Sequence, residues 1–369
     1  MSERGAVKVL HVVGARPNFM KVAPVMRGMA AREGRFEQRL VHTGQHYDAA
    51  MSQVFFDELG ITPPDDNLEV GSGSHAAQTA EIMLRFEPVI EAFRPDWLVV
   101  VGDVNSTMAA TLVAAKIGVR TAHVEAGLRS FDRGMPEEIN RLVTDALADL
   151  LLTPSPDADL NLRNEGVPES RIRQVGNVMI DTLAANLERA RERQAPRRFG
   201  LEPRRYVYVT LHRPSNVDTQ ESLAAIASCL LDVSRRAPVV FPVHPRTRQR
   251  LHDFGLLESL ASARSVKLIE PVGYLDSIGL AEAAACVLTD SGGLQEETTF
   301  LRVPCLTLRP NTERPITISE GSNRLTTLRA LRDDLDLALA RRAAGEAFPC
   351  PALWDGKASE RVADALLSA

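Results

Sequence analysis

Two short apolar runs, Trp97–Val101 and Arg120–Val124, flank an Ala-rich helical pattern over Thr107–Lys116. Each run is too short for an amphipathic helix and reads as a buried strand. Strand, helix and strand in that order form a crossover unit, which requires parallel strands. The rest of the chain must be compatible with such a sheet, and strand and helix patterns alternate almost throughout. In the first half the other strands are expected at Val7–Val13, Gln38–Thr43, Asp149–Thr153 and Arg171–Val175, with helices at Met20–Arg32, His75–Phe93 and Ser155–Glu165. No strong strand is expected between Asp48–Gly60 and His75–Phe93. In the second half the strands are expected at Tyr206–Leu211, Val239–Val243, Val266–Ile269, Cys286–Thr289 and Pro304–Leu308.

A chain of 369 residues suits two domains of ordinary size. The pattern changes around Gly176, where Met179–Gln194 reads as a long charged helix bridging the halves. We therefore expect an α/β fold of two Rossmann-like domains with parallel sheets, residues 1–176 and 177–357. The segment 358–369 contains the amphipathic pattern Ala358–Leu367 and is expected to pack back on the first domain. Two such halves leave a cleft between their strand ends, a favoured place for a ligand.

The most informative stretch runs from Gly102 to Arg141 and contains Asp103, Glu125 and Glu137. Asp103 and Glu125 each follow a strand. If those strands are neighbours they lie roughly 5 Å apart, and both acids face the crevice where open parallel sheets bind ligands. Singly, each has a plain structural use: Asp103 as a turn brace, Glu125 as a strand end, Glu137 as a helix-opening acid after Pro136. Together, carboxylates at one sheet edge repel one another and raise each other's pKa, a cost that points to function.

Other candidates lie at strand-to-helix turns. Gly14-Ala15-Arg16-Pro17-Asn18 and Lys21 combine a glycine turn, a helix start and two cations, which suits phosphate. Ser291, Gly292 and Gly293 open a helix after a strand and can offer backbone N–H groups and a hydroxyl to a phosphate, with Glu297 one turn on suited to a sugar hydroxyl pair. Arg309 and Arg314 follow the next strand. His212 and His244 end strands, each closely followed by an Arg. There is no dinucleotide fingerprint, no Walker A run, no nucleophile elbow and no metal-ligand spacing.

The net charge of −5 gives no reason to invoke nucleic acid or an anionic membrane. No apolar run reaches the ~18 residues of a membrane span, and no secretory leader opens the chain. The four cysteines, Cys229, Cys286, Cys305 and Cys350, are scattered, which fits a reduced, cytoplasmic setting.

Taken in order, GARPNFMKVAP, HTGQH, GDVNST, HVEAGLRS, MPEEINR, TLHRPSNVD, DSGGLQEE, NTERP and LWDGKASERV span nearly the whole chain. In that order they closely resemble the non-hydrolysing UDP-N-acetylglucosamine 2-epimerases. The resemblance implies a GT-B-like fold, a homodimer, a UDP-sugar substrate and C2 epimerisation with no cofactor and no metal. It assigns acid–base roles to Asp103 and Glu125, and ties Glu137 to catalysis or to a neighbouring effector site. Arg16, Lys21, Arg141 and His212 fall in the nucleotide-sugar cleft. Ser291, Gly292 and Gly293 form the diphosphate loop, Glu297 meets the ribose, and Arg314 is an active-site arginine. Two motifs depart from the common form: Asn18 stands where Glu is usual in Arg-Pro-Glu, and Val104 where Thr is usual in Gly-Asp-Thr.

Many relatives also carry an effector site for UDP-N-acetylglucosamine. Gln45, Arg213 and His244 match its residues. Asp48 stands in place of a second Gln, and Gly71-Ser72-Gly73-Ser74 lacks the expected cation. An acid in place of an amide, with a cation missing, weakens diphosphate binding, so we expect hyperbolic kinetics without an activator. The departures, with MPEEINR and HTGQHYD, also occur in relatives acting on 2,3-diacetamido uronic acid sugars, which makes such a UDP-sugar the alternative substrate. The intact NTERP motif around Arg314 favours the simpler sugar. More remote alternatives are a hydrolysing epimerase and a glycosyltransferase of the same fold.

Overall fold

The computed structural model describes residues 5–44 and 63–369. The chain divides into two compact units, Met1–Ala184 with Ala352–Ala369, and Ala185–Pro351. The divide falls inside the helix Val178–Glu192 rather than at Gly176. That helix begins among first-unit partners, its Thr182 hydroxyl donating to the Met20 carbonyl at 2.5 Å. It ends among second-unit partners, its Arg191 paired with Glu282.

The first unit holds β1 Val7–Val13, β2 Phe36–His42, β3 Asp66–Asn67, β4 Trp97–Val101, β5 Arg120–Val124, β6 Leu150–Thr153 and β7 Ile172–Gln174. They form one sheet in the order β3-β2-β1-β4-β5-β6-β7, and every ladder is parallel. Every residue of β4 is buried, as expected where helices cover both faces and the strand becomes a continuous apolar run. The helices are α1 Arg16–Ala30, α2 His75–Phe93, α3 Asn105–Ile117, α4 Pro136–Leu147, α5 Pro156–Asn164 and α6 Val178–Glu192.

Local chemistry sets their ends. Pro17, Pro136 and Pro156 open α1, α4 and α5, where the missing N–H costs nothing and the fixed φ suits a helix. The Ser74 side chain accepts from Ala77 N and caps α2. Gly118 closes α3 in the left-handed conformation at φ 77°, which needs no Cβ. Leu10, Val12, Leu98 and Val100 meet Phe86, Ile90, Ala110 and Ala114 in one apolar cluster.

The second unit holds β8 Val207–Thr210, β9 Val239–Pro242, β10 Val266–Ile269, β11 Cys286–Thr289, β12 Cys305–Leu308 and β13 Asn323–Thr326. Their order is β10-β9-β8-β11-β12-β13, again all parallel. Its longer helices are α7 Gln220–Ser234, α8 Pro245–Asp253, α9 Tyr274–Glu282, α10 Gly292–Leu301 and α11 Leu331–Ala343. Val209, Val239 and Leu288 pack with Ile226, Leu230 and Leu335. Both sheets share one topology: the chain winds outward over three strands, then returns to lay the fourth beside the first. That return creates a switch point at the carboxyl ends of β1/β4 and of β8/β11.

The C-terminal helix α12, Ala358–Ser368, belongs to the first unit. The buried Asp181 carboxylate accepts the N–H groups of Ala358 and Ser359 at 3.0 and 2.7 Å, so one side chain satisfies two orphan donors of that helix. Trp354 Nε1 donates to the Pro154 carbonyl at 3.0 Å.

Two strands were not expected, Asp66–Asn67 and Asn323–Thr326. Both lie at sheet edges. Among the described residues no helix is long and apolar enough to cross a membrane. Cys286 and Cys305 are buried free thiols.

Candidate active site

The first unit's site grows from the register of β4 and β5. Val101 pairs with Val124, so the two strands end level and deliver Gly102-Asp103 and Glu125 to one edge. Gly102 turns the chain at φ 68°. Its N–H donates to the Val124 carbonyl at 3.1 Å. A Cβ on Gly102 would lie 2.8 Å from Lys21 Nζ, 3.3 Å from Glu125 Oε2 and 3.4 Å from Asn18 Nδ2. Only glycine leaves room for these groups to converge.

Glu125 sits at φ 72°, a left-handed conformation that is strained for a residue with a Cβ and persists where surroundings enforce it. The enforcing contacts are present: Glu125 and Ala126 N–H groups both donate to the Leu152 carbonyl, at 3.0 and 3.2 Å. The strain turns the carboxylate back toward α1, where Lys21 donates to Glu125 Oε2. Both side chains are buried, so each charge depends on its partner.

Asn18 shows what its departure from the usual Glu accomplishes here. Its Oδ1 accepts the Ala15 N–H at 3.0 Å while its Nδ2 donates to the Val101 carbonyl at 3.0 Å. A carboxylate has no proton to give that carbonyl.

Asp103 Oδ2 receives Arg141 Nη2 at 2.7 Å and Nε at 3.1 Å, and the Asp103 carbonyl accepts from Asn140 Nδ2 at 2.9 Å. Arg141 is in turn held by Glu138. Glu138 also takes Ser130 N and Phe131 N, each at 2.9 Å, so one buried carboxylate ties the 130–131 turn to the arginine. Glu137 is exposed on the first turn of α4, while its neighbour Glu138 is buried.

Behind the edge lies a relay that is buried except at its last member. His123 Nε2 is 2.8 Å from the Gly102 carbonyl and its Nδ1 is 2.6 Å from Asp145 Oδ1. Asp145 Oδ2 takes Gly127 N at 3.0 Å and Arg129 at 2.7 Å, and Arg129 continues to Glu165. Burial works to raise the Asp145 pKa, but His123 and Arg129 outweigh it and hold the carboxyl below its ordinary range.

In the second unit Ser291 precedes α10, whose first residues are Gly292 and Gly293. A Cβ on Gly292 would lie 2.8 Å from Arg314 Nη1 and 2.9 Å from Glu313 Oε1, so the arginine lies against the turn. Arg314 pairs with Glu296 at 2.9 Å and with Glu313 at 2.5 Å, and Arg309 pairs with Glu313 at 2.8 Å. Burial opposes ionisation of Glu313, but Arg314 and Arg309 hold it well below the usual carboxylate range.

Glu297, fully buried one turn on, is pushed up to about 7 by desolvation, eased by the neighbouring Tyr274 phenol and reinforced by the Glu296 charge. The Tyr274 oxygen lies close enough for that influence without making a hydrogen bond of ordinary geometry.

Asp290 is completely buried and gathers the end of β8. It takes His212 Nδ1 at 3.1 Å, Arg213 N at 2.9 Å and Asn216 Nδ2 at 3.0 Å. Burial raises its pKa, and these donors bring it below the ordinary value. His244 is exposed and caps α8, accepting Arg246 N at 3.3 Å. Partial desolvation of its ring, with His212 and Arg246 nearby, lowers its pKa.

The structure thus brings Lys21, Glu125, Asp103 and Arg141 together in one unit, and Ser291, Gly292, Gly293, Glu297 and Arg314 in the other. Gln45, Asp48 and the side chain of Arg16 lie outside the described residues. His123, Asp145, Glu138 and Asp290 were not among the site residues expected from the sequence, and Asn18 was noted only as a departure from the family motif. Among the described residues no group of three or more His, Cys, Asp and Glu is placed to hold a metal ion.

A family model described as UDP-N-acetylglucosamine 2-epimerase matches residues 29–367. This chain belongs to that family. The UDP-N-acetylglucosamine 2-epimerases are isomerases. A UDP-N-acetylglucosamine 2-epimerase homologue of Methanococcus maripaludis is 45% identical over 319 residues, covering 86% of this chain and 88% of its own. A UDP-2,3-diacetamido-2,3-dideoxy-D-glucuronate 2-epimerase of Pseudomonas aeruginosa is 39% identical over 366 residues, covering 98% of this chain and 99% of its own. The crystal structure of Methanocaldococcus jannaschii UDP-GlcNAc 2-epimerase, in complex with UDP-GlcNAc and UDP, superposes with a TM-score of 0.87 at 39% identity, over 98% of this chain and 100% of that one. The two parallel Rossmann-like sheets are those of the family's GT-B-like fold.

Proposed function

We propose that this protein interconverts UDP-N-acetylglucosamine and UDP-N-acetylmannosamine by eliminating and re-adding UDP. The observation that carries the reading is the strained, buried Glu125, whose carboxylate is turned onto Lys21 beside the Asp103–Arg141 pair. Strain of this kind at a sheet's switch point marks a functional side chain. The C2 proton of the sugar is too weakly acidic to leave alone. One carboxylate removes it while the C1–O bond breaks and UDP departs with the bonding electrons. The product is a bound 2-acetamidoglucal. UDP then re-adds at C1 while an acid returns a proton to the opposite face of C2.

Asp103 and Glu125 supply the acid–base pair, an effect worth about 10²–10⁴-fold. Ser291–Gly293 and Arg314 hold the diphosphate and stabilise its charge as it leaves. Glu297 meets the ribose, and His212 and Arg16 complete the set. Glu137, exposed in the free chain, serves at the sugar or at an effector. Gly71–Ser74 carries no cation, which supports turnover without an activator. By the family resemblance the protein works as a cytoplasmic homodimer.

A second substrate deserves equal testing, because the relative acting on UDP-2,3-diacetamido-2,3-dideoxy-D-glucuronate matches this chain nearly end to end. Each UDP-sugar is incubated separately in D₂O without nicotinamide, and products are read by NMR and mass spectrometry. The expected outcome is UDP-N-acetylmannosamine carrying deuterium at C2. Turnover of the diacetamido uronate alone replaces the substrate and leaves the chemistry. Free N-acetylmannosamine or a transfer product refutes the reading.

A further inference from the structure

The family's reaction uses groups that face the sugar; His123 faces none. It is wholly buried, and its two ring nitrogens meet different partners. The Gly102 carbonyl can only accept, so at 2.8 Å Nε2 must carry a proton. At Nδ1 the partner is Asp145 Oδ1, 2.6 Å away. Asp145 already receives two donors at its other oxygen, the Gly127 N–H and the Arg129 guanidinium. Two donors on one oxygen suit a carboxylate, which leaves Oδ1 as an acceptor and places a second proton on His123. The charges then alternate along one line: His123 positive, Asp145 negative, Arg129 positive, Glu165 negative. Such a chain can be buried because each charge is paired.

From this geometry we infer that His123 is a buried imidazolium that acts as a positioning residue for the epimerase, gripping the Gly102 carbonyl and so fixing the turn that presents Asp103. The inference rests on the proposed reaction. Gly102 is held on both sides by β5, its N–H by the Val124 carbonyl and its C=O by His123. The next carbonyl, of Asp103, is held by Asn140, and the Asp103 carboxylate by Arg141. Gly102 lacks a side chain to restrict it, so these contacts replace the stiffness that a Cβ would have given. The same residue forms the floor under Lys21 and Glu125. Movement of this one residue therefore displaces both members of the acid–base pair relative to the sugar, and a misplacement of about 1 Å costs on the order of 10²-fold in rate.

The test compares two replacements that copy one ring nitrogen each. The amide nitrogen of Gln stands near Nε2, and that of Asn near Nδ1. His123→Gln keeps a donor on the Gly102 carbonyl; His123→Asn keeps only the Asp145 side. We expect H123N to lower kcat roughly 10- to 100-fold with KM little changed, and H123Q to recover most of that loss at a similar melting temperature. Equal kcat values for two folded variants overturn the positioning role, since a purely structural histidine would not separate them.

Protonation is read independently by ¹⁵N NMR of histidine-labelled wild type. Two protonated ring nitrogens on one buried histidine, lost in Asp145→Asn, support the imidazolium. A neutral ring in wild type overturns it, whether or not H123N folds. If the wild type turns over neither UDP-sugar, the proposed reaction fails and the positioning role with it, while the NMR arm still decides the charge.

Discussion

The two units carry the same sheet topology and place their candidate groups at the same kind of location, yet the groups are opposite in character. At the ends of β4 and β5, beside the β1/β4 switch point, the acids come with cations, Glu125 with Lys21 and Asp103 with Arg141. Each carboxylate there has a cationic partner, and the backbone is bent out of its ordinary range to aim one of them. At the β8/β11 switch point the leading feature is backbone: a Ser-Gly-Gly turn opening a helix, with an arginine laid against it. Among the described residues no cation pairs with the acid one turn in, Glu297, which burial pushes up to about 7. A Rossmann-like sheet therefore supplies a place; whether that place handles protons or phosphates depends on which side chains are paired.

The comparison breaks most severely if the first unit's acids are dispensable. Asp103→Asn and Glu125→Gln are each expected to lower turnover about 10²–10⁴-fold while UDP affinity is retained, because the groups proposed to hold the diphosphate lie in the other unit. Rates near wild type in both folded variants would end the acid–base assignment.

A smaller effect is expected from the second unit. Gly292→Asp sets a side chain into space already held by Arg314 Nη1 and Glu313 Oε1 and adds a carboxylate where phosphate should dock. UDP affinity by calorimetry should fall at least tenfold, equivalent to about 1.4 kcal/mol. Unchanged affinity in a folded variant removes the diphosphate from this turn.

Glu297 gives the smallest effect and sharpens the contrast between paired and unpaired acids. Its folded pKa is raised from the ordinary 4.5 to about 7. The folded chain thus keeps a proton that the unfolded chain releases. Its contribution to stability is full below pH 4.5 and is lost as pH rises toward 7. Glu297→Gln should flatten that fall and stabilise the protein at pH 8 by on the order of 1 kcal/mol. Urea unfolding at pH 5 and pH 8 reads the difference; a variant with the wild-type pH slope argues against the raised pKa.

How far these features could be read in advance follows from what each one depends on. Trp97–Val101, Arg120–Val124, Val266–Ile269 and Cys286–Thr289 have the expected bounds, because strands between two helical layers need apolar residues on both faces. Asp66–Asn67 and Asn323–Thr326 are edge strands defined by backbone pairing, and their sequences carry no apolar run. In α1 the expected start at Met20 gave way to Arg16, since Pro17 belongs to a first turn.

Site residues divide in the same way. The placement of Asp103 and Glu125 at one sheet edge was legible because a strand end predicts where a side chain goes. Glu138 owes its role to Arg141, one turn on in the same helix, and His123 and Asp145 to partners 21 and 22 residues away in sequence, the Gly102 carbonyl and each other. The histidine two residues before Glu125 in the same strand was the available signal, and strand periodicity alone gives such a residue no partner.

The cap that Asp181 places on α12 has a consequence for synthesis. The first unit's chain is interrupted by the second, Ala185–Pro351, so the carboxylate leaves the ribosome well before its two N–H partners exist. At about 5–20 residues per second the wait is roughly 10–30 s. During that interval the nascent first unit keeps an unsatisfied acid and an uncovered face of α1, where Gly28 will later meet Ser359. The second unit is continuous and can complete its own fold first, so the part of the protein made earliest is the part finished last.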